Sequence, residues 1–122
     1  MHVVVIEDDA ASRKLVALLL TDAGAFVTCC PSAEEAIAAI AVEIPVLIVL
    51  DLVLPGMGGL VLARRLMADP KTRDIVLVAV TSLTGSEVER LALAAGCKVY
   101  LRKPVDTETF ASTVGKQLKE VG

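Results

Sequence analysis

The chain has 122 residues, room for one compact unit, and its hydrophobic residues make up 55% against 2% aromatic, so the core must be aliphatic and aromatic platforms for bases or sugars are excluded. Lys and Arg number 12 and Asp and Glu 15, and the resulting net charge of −3 disfavours direct binding to nucleic acid or anionic lipid. Mean hydropathy is high at +0.70, yet the apolar runs are short and broken by Gly, Pro and acids, so none is long enough to insert into a membrane.

In chain order, a β-branched run at Val3 to Ile6 predicts a strand buried on both faces, followed by Glu7, Asp8 and Asp9. Ala10 to Ala23 has helical length, and Gly24 stands where a left-handed C-terminal cap is expected. Its leucines and valine, Leu15, Val16, Leu18, Leu19 and Leu20, cover more of the helix than one buried stripe needs, so Leu15 and Leu18 are either surplus core or an exposed patch. Phe26 to Cys30 is a weaker strand nearer a sheet edge. A second helix is predicted over Ser32 to Ala41, opened by a Ser32/Glu35 capping box. Val46 to Leu50 is the next strand and ends at Asp51. Gly59 to Ala68 is helical, and Asp69 to Asp74 is a polar loop. The strand Ile75 to Val80 runs into Thr81 and Ser82. Ser86 to Ala95 is a helix closed by Gly96, Lys98 to Leu101 a short strand before Lys103-Pro104, and Thr107 to Leu118 a last helix with Asp106 as its cap.

Five alternations of strand and helix imply a parallel sheet with right-handed crossovers and helices on both faces, with ligands at the carboxyl ends of the strands. Glu7, Asp8, Asp51, Thr81 and Lys103 all fall at such ends. Carboxylates gathered in one crevice repel, which attracts a hard cation; Mg²⁺ fits because it takes one or two carboxylates and a carbonyl and leaves positions for phosphate oxygens. Acids, cation, hydroxyl and ammonium together point to phosphoryl chemistry. Cys29, Cys30 and Cys97 have neither a disulfide framework nor metal spacing, and are read as small apolar fillers in a reducing compartment; His2 is read as an ordinary strand residue. The opening residues lack the basic start and cleavage site of a signal peptide, so the expected location is the cytoplasm.

Four segments resemble the receiver domain of bacterial two-component response regulators: V-V-V-I-E-D-D-A-A-S-R, L-I-V-L-D-L-V-L-P-G-M-G-G, V-A-V-T-S and A-G-C-K-V-Y-L-R-K-P-V. The resemblance extends over essentially all of residues 1–122. It implies a flavodoxin-like, doubly wound (βα)5 α/β fold, with strand order 2-1-3-4-5. It also implies that Asp51 accepts a phosphoryl group in a Mg²⁺-dependent step from a sensor histidine kinase or histidine phosphotransfer protein. In that pattern Asp8 binds the metal directly, Glu7 acts largely through metal-bound water, and Val53 offers its backbone carbonyl. Thr81 is the switch hydroxyl, Tyr100 turns inward from an exposed rotamer, and Lys103 pairs with Asp51 across from a cis Lys103-Pro104 bond. Asp9 lies outside the acidic pair and is better suited to the first helix dipole. Val53 and Leu83 occupy the positions that tune hydrolysis; neither side chain can hydrogen-bond water, which implies slow self-dephosphorylation. Leu15, Leu18 and Pro104 fall where the phosphohistidine donor docks, and the fourth helix, fifth strand and fifth helix would meet a downstream protein. Gly58-Gly59 replaces a common Asp-Gly, and Val105 a common Phe. The chain reads as a stand-alone regulator, with an N-terminal receiver cut from a longer regulator as the alternative.

Three other readings stand beside this one. A receiver-like interaction module that works without phosphorylation would share the fold, but the full set of polar residues counts against it. A phosphatase of the haloacid-dehalogenase type would need an Asp where Val53 stands. A flavin-binding flavodoxin-like protein would need aromatics to sandwich the ring.

Overall fold

The computed structural model describes residues 1–121. Five strands, β1 (His2–Ile6), β2 (Phe26–Cys30), β3 (Leu47–Leu50), β4 (Val76–Thr81) and β5 (Cys97–Arg102), alternate with five helices, α1 (Ala10–Asp22), α2 (Ala33–Val42), α3 (Gly59–Ala68), α4 (Ser86–Ala94) and α5 (Thr107–Val121). The strands form one parallel sheet in the order β2-β1-β3-β4-β5, as expected.

Alternation along the strands divides the interior in two. Val4, Ile6, Ile48, Leu50, Leu77 and Ala79 face α2, α3 and α4, and pack with Ile40, Leu62, Leu66 and Ala92. Val3, Val5, Leu47, Val49, Val78 and Val80 point the other way, onto Val16 and Leu20 of α1 and Phe110, Val114 and Leu118 of α5. Phe110, 1% exposed, is the one aromatic ring among the fully buried side chains.

The helix ends carry the expected punctuation. Asp9 caps α1 by accepting the Ser12 N–H at 2.8 Å. Ser32 caps α2 through the Glu35 N–H at 3.2 Å, although the Glu35 carboxylate accepts from the Ser32 hydroxyl rather than from its backbone, so the box is half-formed. Asp106 accepts the Thr109 N–H at 2.9 Å. Gly24 and Gly96, at φ 93° and 107°, supply the left-handed turns after α1 and α4.

Two expectations need correction, at Thr81 and at Cys29. Thr81 is the last residue of β4, paired with Arg102, rather than the residue after it; a β-branched Thr fits a strand and is fully buried there. Asp69–Asp74 is a loop as expected, and within it Thr72 is buried and donates its hydroxyl to the Leu66 carbonyl at 2.6 Å, closing the end of α3. Cys30 and Cys97 are buried, and burial pushes the Cys97 thiol up to about 11, but Cys29 is exposed near the end of β2, the edge strand of the sheet. His2 is a strand residue of β1, as expected, with Nε2 at 2.8 Å from the Thr28 hydroxyl. On α1, Val16 and Leu20 make the core, while Leu15 and Leu18 are 38% and 57% exposed.

Candidate functional site

Register brings the acids together. Ile6 and Leu50 are partners across β1 and β3, so Glu7 and Asp51 leave neighbouring strands at the same level. The ladder runs one step further, with Asp51 N–H donating to the Ile6 carbonyl and Glu7 N–H to the Cys30 carbonyl, both at 3.0 Å. One ligand oxygen from each of Glu7, Asp8 and Asp51 lies within 4.8 Å of the others. Glu7 and Asp51 are buried at 5% and 6% exposure, while Asp8 is exposed at the rim.

Lys103 enters from the end of β5, its N–H donating to the Thr81 carbonyl at 2.9 Å. Its ammonium donates to Asp51 Oδ2 at 2.8 Å and also to Glu7 Oε1, which the resemblance did not imply. The Lys103-Pro104 bond is cis, as expected. Burial pushes the Glu7 carboxyl above its usual value, and the Lys103 hydrogen bond offsets this only in part. Burial also works against the Lys103 ammonium, but its bonds to Asp51 and Glu7 outweigh that and hold its pKa above the ordinary lysine value. The Asp51 carboxylate is gripped twice, because Oδ1 accepts the Val53 N–H at 2.9 Å.

Thr81 and Tyr100 meet through the Leu83 peptide. The Leu83 N–H donates to Thr81 Oγ1 at 3.3 Å, and the Leu83 carbonyl accepts the Tyr100 hydroxyl at 2.8 Å. Tyr100 is half-buried against the α2/α3/α4 side of the core, with its hydroxyl hydrogen bond at the exposed surface. Among the described residues the Thr81 hydroxyl accepts but donates to nothing, so its proton is available to an incoming oxygen. Val53 and Leu83 are 49% and 43% exposed. Leu15, Leu18 and Pro104 all lie on the surface.

Two supporting residues escaped the sequence. Arg13 Nη1 donates to the Glu7 carbonyl at 2.9 Å, bracing the acidic turn from α1. Glu34 Oε2 accepts the Met57 N–H at 3.1 Å across the loop after β3. The only available signals were a basic residue in the first turn after an acidic strand end, and an acid beside a capping residue.

The donor set is all carboxylate, with no His or Cys in the group, and fits a hard, oxygen-preferring ion such as Mg²⁺. No helix among the described residues is long and apolar enough to cross a membrane.

Comparison with known proteins gives a consistent picture. The chain is 38% identical over 106 residues to an uncharacterised 14.6 kDa protein of Leptolyngbya boryana, covering 87% of this chain and 81% of that one. It is 34% identical over 105 residues to the response regulator PleD of Caulobacter vibrioides, covering 86% of this chain but spanning only 23% of PleD. The crystal structure of a putative response regulator from Chloroflexus aurantiacus superimposes with a TM-score of 0.91 at 26% identity, covering 97% of both chains. The sequence model of the response regulator receiver domain matches residues 3–115, and with the strand-end acids, Thr81 and Lys103 in place, the chain belongs to that family.

Proposed function

We propose that the protein is a phosphoacceptor of a two-component phosphorelay, taking a phosphoryl group onto Asp51 from a sensor histidine kinase or a histidine phosphotransfer protein and switching the binding of a downstream partner. The observation that carries this reading is the convergence of the Glu7, Asp8 and Asp51 carboxylates with the Lys103 ammonium at the carboxyl ends of three strands.

In the proposed step, an Asp51 oxygen attacks phosphorus in line, the bond to the donor imidazole nitrogen breaks, and the electron pair leaves with the imidazole, giving an acyl phosphate. Glu7, Asp8, Asp51 and the Val53 carbonyl would hold Mg²⁺, which when bound supplies positive charge against the phosphoryl oxygens. Lys103 releases Asp51 Oδ2 and follows the new charge as a hydrogen-bond donor. The Thr81 hydroxyl donates to a phosphoryl oxygen. Any displacement of Thr81 is felt by the Leu83 peptide, and through it by Tyr100, on the surface formed by α4, β5 and α5. If phosphate favours the active arrangement by about 2 to 3 kcal/mol, the ratio of active to inactive forms shifts roughly 30- to 150-fold. Leu15, Leu18 and Pro104 are assigned to donor docking, and the cytoplasm is the expected location. Since Val53 and Leu83 cannot hydrogen-bond an attacking water, self-dephosphorylation is slow.

The test is incubation with acetyl phosphate and Mg²⁺, followed by mass spectrometry of the intact chain and its peptides. One phosphate on the peptide containing Asp51, absent in Asp51→Asn, is expected; no labelling, or labelling that survives Asp51→Asn, overturns the reading. The same protocol separates it from a module that works unphosphorylated.

A further inference from the structure

The loop that follows Asp51 is tied at its two ends by its own atoms. The Val53 N–H donates to the Asp51 carboxylate at 2.9 Å, and the Gly59 N–H to the Leu52 carbonyl at 3.2 Å. Between these ties, among the described residues, one side chain from outside the segment hydrogen-bonds its backbone: Glu34, on the first turn of α2, through the Met57 N–H at 3.1 Å. Gly56, just before Met57, has φ 72°, and a Cβ placed there would lie 2.7 Å from the same Glu34 oxygen. The glycine therefore provides both the left-handed backbone and the room for the carboxylate to close on the turn.

We propose that Glu34 is a positioning residue for phosphorylation, holding the turn at residues 55–57 so that the Val53 carbonyl is set beside the Asp51 carboxylate before the metal arrives. This rests on the phosphoacceptor reading. Its physical basis is preorganisation: a loop fixed in advance loses less freedom when its carbonyl is engaged. Glu34 acts through a hydrogen bond rather than as a further negative charge, and the two roles separate experimentally, because a glutamine amide oxygen can accept the Met57 N–H without carrying the charge.

The experiment titrates Mg²⁺ against the rate of labelling by acetyl phosphate in the full chain. For Glu34→Ala the Mg²⁺ concentration at half-maximal rate rises roughly three- to tenfold, the equivalent of one modest hydrogen bond, while the rate at saturating Mg²⁺ stays within about twofold. Glu34→Gln stays within about twofold of wild type in both quantities. Exchange of the Met57 amide proton quickens in Glu34→Ala and is retained in Glu34→Gln, a readout that overall destabilisation would not confine to this turn. An unchanged Mg²⁺ dependence in Glu34→Ala, or a Glu34→Gln variant as impaired as Glu34→Ala, overturns the proposal. Wild-type protein that takes no label at all would instead overturn the phosphoacceptor reading itself.

Discussion

Replacing Lys103 with Met removes the one ammonium that holds Glu7 and Asp51 together, and the structure sets the size of the effect. The two carboxylates are 5% and 6% exposed, and the oxygens they offer lie within 4.8 Å of each other. At an effective dielectric of about 20, unit charges at that separation repel by about 3.5 kcal/mol. Relaxation and water entry reduce this, so Lys103→Met is expected to lower stability by about 3 kcal/mol in EDTA at neutral pH, at the lower end for a buried pair stripped of one partner. Two dependences distinguish this cause from simple loss of packing. Burial already holds the Glu7 carboxyl above its usual value of 4.5. A carboxyl raised in the folded state contributes stability that is full below its unfolded value and is lost as pH rises through the folded one. Without Lys103 the rise is larger, so the deficit is greater at about pH 7.5 than at about pH 5. Mg²⁺ neutralises the same carboxylates without competing with the ammonium, so it stabilises the variant more than the wild type. Urea unfolding at the two pH values, with EDTA and with Mg²⁺, measures all four quantities. A deficit that is the same in every condition would refute the electrostatic account.

Gly59→Ala places a Cβ 2.3 Å from the Asp51 carbonyl oxygen and 2.8 Å from Leu52 Cα, both backbone, so it is expected to cost about 1–3 kcal/mol in urea unfolding and to slow labelling of Asp51. Val53→Asn gives an attacking water a hydrogen-bonding partner and should shorten the phosphoryl lifetime roughly tenfold, the rate equivalent of about 1.4 kcal/mol; decay followed by mass spectrometry checks it, and a longer lifetime contradicts it. Backbone hydrogen bonds hold the Asp9 and Asp106 carboxyls below their usual 3.8, so their contribution is present above that value and is lost as pH falls through the lower folded values. Replacing both with Asn, which still caps, should flatten the acid limb of the stability curve; an unaltered limb would show that these caps do not carry it.

The sheet was legible because each buried strand is a short β-branched run that ends at a polar residue. Those polar ends mark Glu7, Asp51 and Lys103 in the sequence itself. Strand limits were less legible at Thr81, whose polarity reads as a terminus although its branching suits the strand it completes. Leu15 and Leu18 were ambiguous because an aliphatic-rich helix offers more apolar positions than one sheet face can cover; only packing shows that Val16 and Leu20 take that face. Arg13, Glu34 and the double grip of Lys103 stayed hidden. Glu34 and Lys103 act on groups brought near by the crossovers, at chain separations that no local pattern encodes, whereas Arg13 reaches back only six residues, to a carbonyl that a basic residue in a first helical turn does not by itself identify. Cys29 was misread for a different reason: the edge position of its strand was legible, but not which of the adjacent Cys29 and Cys30, on opposite faces, a helix would cover.

Leu83 joins Thr81 to Tyr100 through its amide and carbonyl alone, and its side chain takes no part in either bond, the residue being 43% exposed. On the proposed function, one position thus carries two separable traits: how long the mark persists is written in the side chain, and how the mark is read is written in the main chain. Selection can exchange that side chain to retime the signal without rewiring it, whereas proline, which has no N–H, would sever the wire and leave the clock largely intact.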